Sequence, residues 1–126
     1  MKKLIYTLLI IIALTNNSFS AGDSNTTAKA SDYTKAKNLI KAAKKYEKKG
    51  KIDKAQERYA KAQKLLLKSN EIKPLQADTL NYLGFTTRKL GDYEKGEKFY
   101  LLGLQVEPNH NGINEYLGEL YVATNR

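Results

Sequence analysis

Between Lys37 and Lys48 the chain sets Leu39, Ala42, Ala43 and Tyr46 three and four residues apart among lysines. That spacing gathers the four on one face of a helix. Ser31 stands ahead of the run as an N-cap, with Asp32 in the first turn to complement the helix dipole. Gly50 ends the run. From Ile52 to about Ser69 a second stripe carries Ala55, Tyr59, Ala62, Leu65 and Leu66. Leu80, Leu83 and Gly84 mark a third helix, Gly91-Asp92 a turn, and Gly96, Phe99, Tyr100 and Gly103 a fourth helix. Tyr116, Leu117, Leu120 and Tyr121 mark a fifth. Glycine inside a helix costs up to about 1 kcal/mol against alanine. Gly84, Gly96, Gly103 and Gly118 are therefore expected where helices approach closely.

The pattern repeats. Pro74 and Pro108 lie 34 residues apart, as do Tyr82 and Tyr116, Leu83 and Leu117, and Gly84 and Gly118. An upstream unit matches at a spacing of 41: Gly50 with Gly91, Ile52 with Tyr93, Ala55 with Gly96, Tyr59 with Tyr100, Ala62 with Gly103. The extra seven residues fall between Ala62 and Pro74. Seven residues make about two helical turns, so an extension there keeps the same face inward.

At these residues the chain resembles the tetratricopeptide repeat (TPR) family, whose unit is a 34-residue helix–turn–helix. Residues 77–110 supply Leu83-Gly84, Gly91-Asp92-Tyr93, Gly96, Tyr100, Gly103 and Pro108. Thr87 stands where the family usually has Tyr, and Gly96 and Gly103 where Ala is commoner. Residues 36–69 match through Ala42-Ala43, Tyr46, Gly50, Ala55, Tyr59 and Ala62, with Leu67 at the place of the late Pro. A third unit opens at Leu117-Gly118-Glu119-Leu120-Tyr121. The resemblance implies an all-α, TPR-like helix-turn-helix solenoid of about two and a half repeats over 32–126. An ordinary helical bundle with accidental similarity to the repeat is the alternative.

In the resembled family the first helix of each unit lines a concave surface that holds a partner. Core positions are then expected at 39, 42, 43 and 46, at 80, 83, 84 and 87, and at 114, 117, 118 and 121. The adjacent stripe is expected to face the groove. It holds Lys37, Ile40, Lys44 and Glu47, then Asp78, Asn81, Phe85 and Arg88, then Gly112, Glu115, Glu119 and Val122. For a peptide or helix from a protein partner, Phe85 is the expected apolar anchor, beside Ile40. Asn81 is the expected hydrogen-bond partner for the bound backbone, and Lys44 and Arg88 the charge contacts. The lysine and asparagine clamp that some TPR domains use for C-terminal carboxylates has no clear counterpart, so that specificity does not carry over.

Composition narrows the chemistry. The chain has 126 residues, no Cys, no Trp, one His and a formal charge of +9. Without cysteine there is no disulfide framework, thiol nucleophile or Cys-bound metal. A single histidine, His110, excludes a multi-His metal site; it follows Pro108-Asn109 near a helix start and reads as an exposed turn residue. No Ser/His/Asp set, phosphate loop or paired-carboxylate site is identifiable, and Glu115 and Glu119 read as surface charge. The expectation is a non-catalytic protein with no cofactor.

Residues 1–20 read as an address. Met1-Lys2-Lys3 precedes the apolar run Leu4–Leu14, and small Ser18 and Ser20 fit a cleavage site. This is the order of a secretory signal peptide. Eleven helical residues span roughly 16 Å, short of a ~30 Å hydrocarbon core. A retained N-terminal anchor is the alternative. Residues 21–31 read as a flexible linker, small and polar. The chain is thus expected to be periplasmic or secreted, with an adaptor role in a bacterial envelope. Asn16-Asn17-Ser18 and Asn25-Thr26-Thr27 carry glycosylation-like patterns of low specificity.

Charge divides unevenly. Residues 29–68 hold 14 basic and 4 acidic side chains, net +10; residues 69–126 hold 6 basic and 8 acidic, net −2. A lysine-rich first hairpin is either a solvated face or a contact for an anionic membrane or cell-wall polymer. No nucleic-acid motif accompanies it, so nucleic acid is not an expected partner. For residues 111–126 three readings stay open: a capping helix, a homodimer contact through the C-terminal helix, or the start of a longer array.

Overall fold

The computed structural model describes residues 30–126. The signal-peptide reading, the glycosylation-like patterns and most of the expected linker lie outside the described residues. Five helices follow one another: α1 (Asp32–Lys48), α2 (Ile52–Ile72), α3 (Ala77–Lys89), α4 (Tyr93–Val106) and α5 (Asn111–Ala123). They form two helix hairpins and the first helix of a third, an all-α TPR-like helix-turn-helix solenoid. α1 packs on α2, α3 on α4, and α3 also contacts α2, α5 and α1.

The helix ends explain the sequence spacings. Ser31 caps α1, its hydroxyl accepting from the Thr34 N–H at 3.1 Å. α1 stops in a Schellman motif: Gly50 adopts φ +68°, Gly50 N–H bonds Glu47 O, and Lys51 N–H bonds Tyr46 O. Gly91, at φ +98°, ends α3 with the same pair of bonds, to Arg88 O from Gly91 and to Thr87 O from Asp92. Asn125 repeats it after α5, at φ +58°, with Arg126 N–H on Tyr121 O. These three caps sit 41 and then 34 residues apart. The seven extra residues are two added turns of α2, which has 21 residues against 14 in α4.

Glycine lets the second hairpin close. A Cβ on Gly84 would lie 2.5 Å from the Tyr100 ring, and one on Gly96 would lie 3.0 Å from the Gly84 carbonyl and 3.2 Å from the Arg88 nitrogen. Gly103 faces the Ile113 side chain in the same way. Gly118 differs from expectation: it is exposed, and nothing lies within 4 Å of its Cβ position.

The core has two clusters. The first joins Ala36, Ile40, Ala43, Ala55, Tyr59, Ala62, Leu66, Leu80, Leu83 and Phe85. The second joins Ala77, Tyr100, Ile113, Leu117 and Leu120. Among the described residues the two clusters draw on all five helices. The buried line of α1 runs through Ala36, Ile40 and Ala43 rather than through 39, 42, 43 and 46; Leu39 and Tyr46 are half-buried at its edge. In α5 the buried line is Ile113, Leu117 and Leu120, and Asn114 and Gly118 face outward. The expected core of α3 at 80, 83, 84 and 87 is buried. Thr87 keeps its hydroxyl satisfied there by accepting from Gln63 Nε2 at 2.9 Å.

Candidate functional site

The first helices of the three units meet at one cleft. It measures about 240 Å³ and is lined by Lys44, Glu47 and Lys48 of α1, Phe85 and Lys89 of α3, and Tyr116 and Glu119 of α5. Its floor is aromatic. Phe85 packs edge-on to Tyr59 with centroids 5.7 Å apart, and against Tyr116 at 4.8 Å. Three cations stand over the Phe85 ring: Lys44 Nζ at 4.6 Å, Arg88 at 5.6 Å and Lys89 Nζ at 5.7 Å. Such cations are attracted by the negative face of the ring.

The acids are already engaged. Glu47 accepts from Lys89 Nζ at 3.1 Å and from the Tyr59 hydroxyl at 2.9 Å. Burial first, and then the bond to Glu47, push the Tyr59 phenol well above its usual range. Glu119 pairs with Arg88 at 2.8 Å. Lys44 instead donates to the Tyr116 hydroxyl at 2.9 Å, a neutral acceptor. Among the described residues neither Lys44 nor Lys48 is paired with a carboxylate. Among the lining residues, Lys44, Lys48 and Lys89 against Glu47 and Glu119 leave the cleft one charge positive.

The residues expected in the groove take different places. Lys44 lines the cleft, whereas Arg88 lies beside it, its side chain 10% exposed and paired with Glu119. Phe85 itself is 2% exposed and beneath the cations, so it is a core residue and floor rather than an anchor open to a partner. Ile40 is 3% exposed and also belongs to the core. Asn81 is 6% exposed, too deep to meet an extended backbone, and its Oδ1 lacks a hydrogen-bond partner. Ile40 and Asn81 do not line the cleft. The physical reason is that α3 is covered on two sides, by α2 and by α4 with α5, so the stripe next to its core face is buried as well.

Sequence reasoning missed Lys48, Lys89 and Tyr116 as cleft residues. Tyr116 was signalled by its 34-residue relation to Tyr82, and Lys89 by its place beside Arg88. His110 also differs from the exposed turn residue expected. It caps α5, Nδ1 accepting from the Ile113 N–H at 3.1 Å while Nε2 lies 2.8 Å from Asp78 Oδ1. A ring nitrogen that accepts at Nδ1 carries its proton on Nε2, so the imidazole donates to Asp78.

No group of three or more His, Cys, Asp or Glu side chains among the described residues is placed to hold a metal ion. No described helix is long and apolar enough to cross a membrane. The site offers cations over an aromatic floor, which is equipment for binding.

No protein-family model matches the chain, and no curated protein matches it. Among solved structures, one similar chain is the first TPR of Spaghetti (RPAP3) bound to the HSP90 peptide SRMEEVD. The two are 20% identical with a TM-score of 0.49, over 76% of this chain and 98% of that one.

Proposed function

We infer that the protein is a non-catalytic adaptor that holds an acidic segment of a partner protein in the cleft between α1, α3 and α5. One observation carries this reading: the cleft has two lysines, Lys44 and Lys48, without a carboxylate partner over an aromatic floor. A carboxylate entering there meets Lys44 Nζ, which need only exchange its neutral phenol acceptor for a charged one. Hydrogen bonds between charged partners are about twice as strong as neutral ones. The stems of Lys44 and Lys89 and the edge of Tyr116 offer apolar contact beside the charge. Read with the secretory order of residues 1–20, the partner belongs to a bacterial envelope, in the periplasm or outside the cell.

The test is fluorescence anisotropy with a labelled hexapeptide of Glu and Asp, amidated at its C-terminus, against a hexapeptide of Lys and Ser. The acidic peptide should bind and the basic one should not. Lys44→Gln with Lys48→Glu should weaken binding by at least tenfold while the helical circular dichroism stays intact. Equal binding of the two peptides, or no loss in the double variant, refutes the assignment.

A further inference from the structure

The tip of the first hairpin gathers lysines, of which Lys45 complements the end of the α1 dipole and Lys54 stands 5.9 Å over the Tyr46 ring. Lys45 lies in the last turn of α1, Lys49 and Lys51 flank Gly50, and Lys54 lies in the first turn of α2; all four are exposed. Among the described residues none of the four pairs with a carboxylate. The second hairpin shows what the turn would otherwise hold. Forty-one residues on from Lys51 stands Asp92, whose carboxylate caps α4 by accepting from the Lys95 N–H at 3.0 Å. Lys51 occupies the N-cap of α2 and makes no side-chain capping bond. It also sets a cation at the positive end of the helix, against the dipole. Asp53 in the first turn of α2 offsets part of that cost, and Lys51 itself adds only charge to the tip.

The same end presents apolar side chains. Ile52, the first residue of α2, is 53% exposed, and its equivalent Tyr93, the first residue of α4, is 41% exposed. The two tips are neighbours: Gln56 Nε2 donates to Lys89 O at 2.9 Å, and Lys89 reaches Glu47. The Schellman bonds fix the first turn, so Lys49, Lys51 and Ile52 project from a rigid corner.

We propose that this tip, with Lys45, Lys49, Lys51 and Lys54 around Ile52, rests end-on against an anionic lipid bilayer. A flat, negatively charged surface suits lysines spread over a convex corner. Each lysine near such a surface adds attraction that salt screens. An interfacial layer also takes up an aliphatic side chain, which a purely ionic polymer in water does not. The site is separate from the cleft, whose lysines are Lys44, Lys48 and Lys89.

The experiment is co-sedimentation of residues 30–126, first shown by circular dichroism to be helical and to melt cooperatively, with vesicles of phosphatidylcholine alone, or with a third phosphatidylglycerol, at low and moderate salt. Binding is expected only to the anionic vesicles and should fade as salt rises. Lys45→Gln, Lys49→Gln and Lys51→Gln together should weaken it by about a hundredfold, from roughly fivefold per lysine. Lys41→Gln, Lys64→Gln and Lys73→Gln remove the same charge elsewhere and should weaken it by less than tenfold. Ile52→Ser should weaken it with charge unchanged. Equal loss in the two triple variants, equal binding to neutral vesicles, or full competition by soluble polyphosphate with no effect of Ile52→Ser would each overturn the proposal.

Discussion

Alanine placed at three helical glycines in turn should move stability in opposite directions. At Gly118 the Cβ position is empty and exposed. The substitution there only restricts the unfolded backbone, a gain of about 0.5–1 kcal/mol. For a domain of this size that raises Tm by roughly 3–6 °C. At Gly96 the new methyl would sit 3.0 Å from the Gly84 carbonyl oxygen and 3.2 Å from the Arg88 nitrogen. Both are backbone atoms of α3, so relief requires the two helices of the hairpin to part. Overpacking of this kind costs about 1–3 kcal/mol. Set against the same backbone gain, the net loss is about 0.5–2 kcal/mol, several degrees in Tm. At Gly84 the obstacle is the Tyr100 ring, fully buried and at 2.5 Å. Its loss should be no smaller than that of Gly96. Thermal melts and urea titrations of residues 30–126, followed by circular dichroism, measure all three. A stabilising Gly96→Ala, or equal shifts at Gly96 and Gly118, would refute the claim that glycine sets the hairpin spacing.

Three further outcomes follow from single contacts. Tyr59→Phe removes the 2.9 Å bond to Glu47, but Lys89 still serves that carboxylate, so urea unfolding should show a loss near about 1 kcal/mol rather than the larger loss of an orphaned buried charge. His110→Ala removes the α5 cap and should cost about 1 kcal/mol, while His110→Asn, which can still accept from the Ile113 N–H, should recover most of it in the same assay. Burial raises the phenol of Tyr33 to about 12 and that of Tyr100 higher still. The unfolded chain therefore loses these protons first, and stability present below pH 10 should fall as pH rises toward 12. Phenolate absorbance of the buried tyrosines should then appear together with helix loss; full ionisation with the helices intact would contradict their burial.

The repeat was legible because backbone geometry demanded it. Gly50 and Gly91 mark left-handed turns, and their 41-residue relation follows from two extra turns in α2. Asn125 closes the series 34 residues on, a cap that asparagine can fill as glycine does, and that went unread. The register of the groove was harder. A stripe model gives each helix one buried face. α1, at the edge of the stack, has such a face, but it is turned so that small Ala36 and Ala43 lie deepest and Ile40 goes inward with them. α3 has two, and nine of its thirteen residues are buried, so both Asn81 and Phe85 lose the exposure expected of them. Lys44 kept its place at the cleft because its long stem carries the charge past the buried layer, while Arg88 is drawn in and reaches only Glu119 at the rim. His110 was out of reach because its partner, Asp78, is 32 residues away and is joined to it only by the packing of α5 on α3.

The most direct test of the proposed peptide binding is where on the protein it occurs. Backbone amide shifts of labelled residues 30–126 should be recorded as the acidic hexapeptide is added. Saturating changes are expected to gather at Lys44, Lys48, Phe85, Lys89, Tyr116 and Glu119. Changes confined to the outer faces of α2 and α4, or spread evenly over exposed lysines, would contradict it.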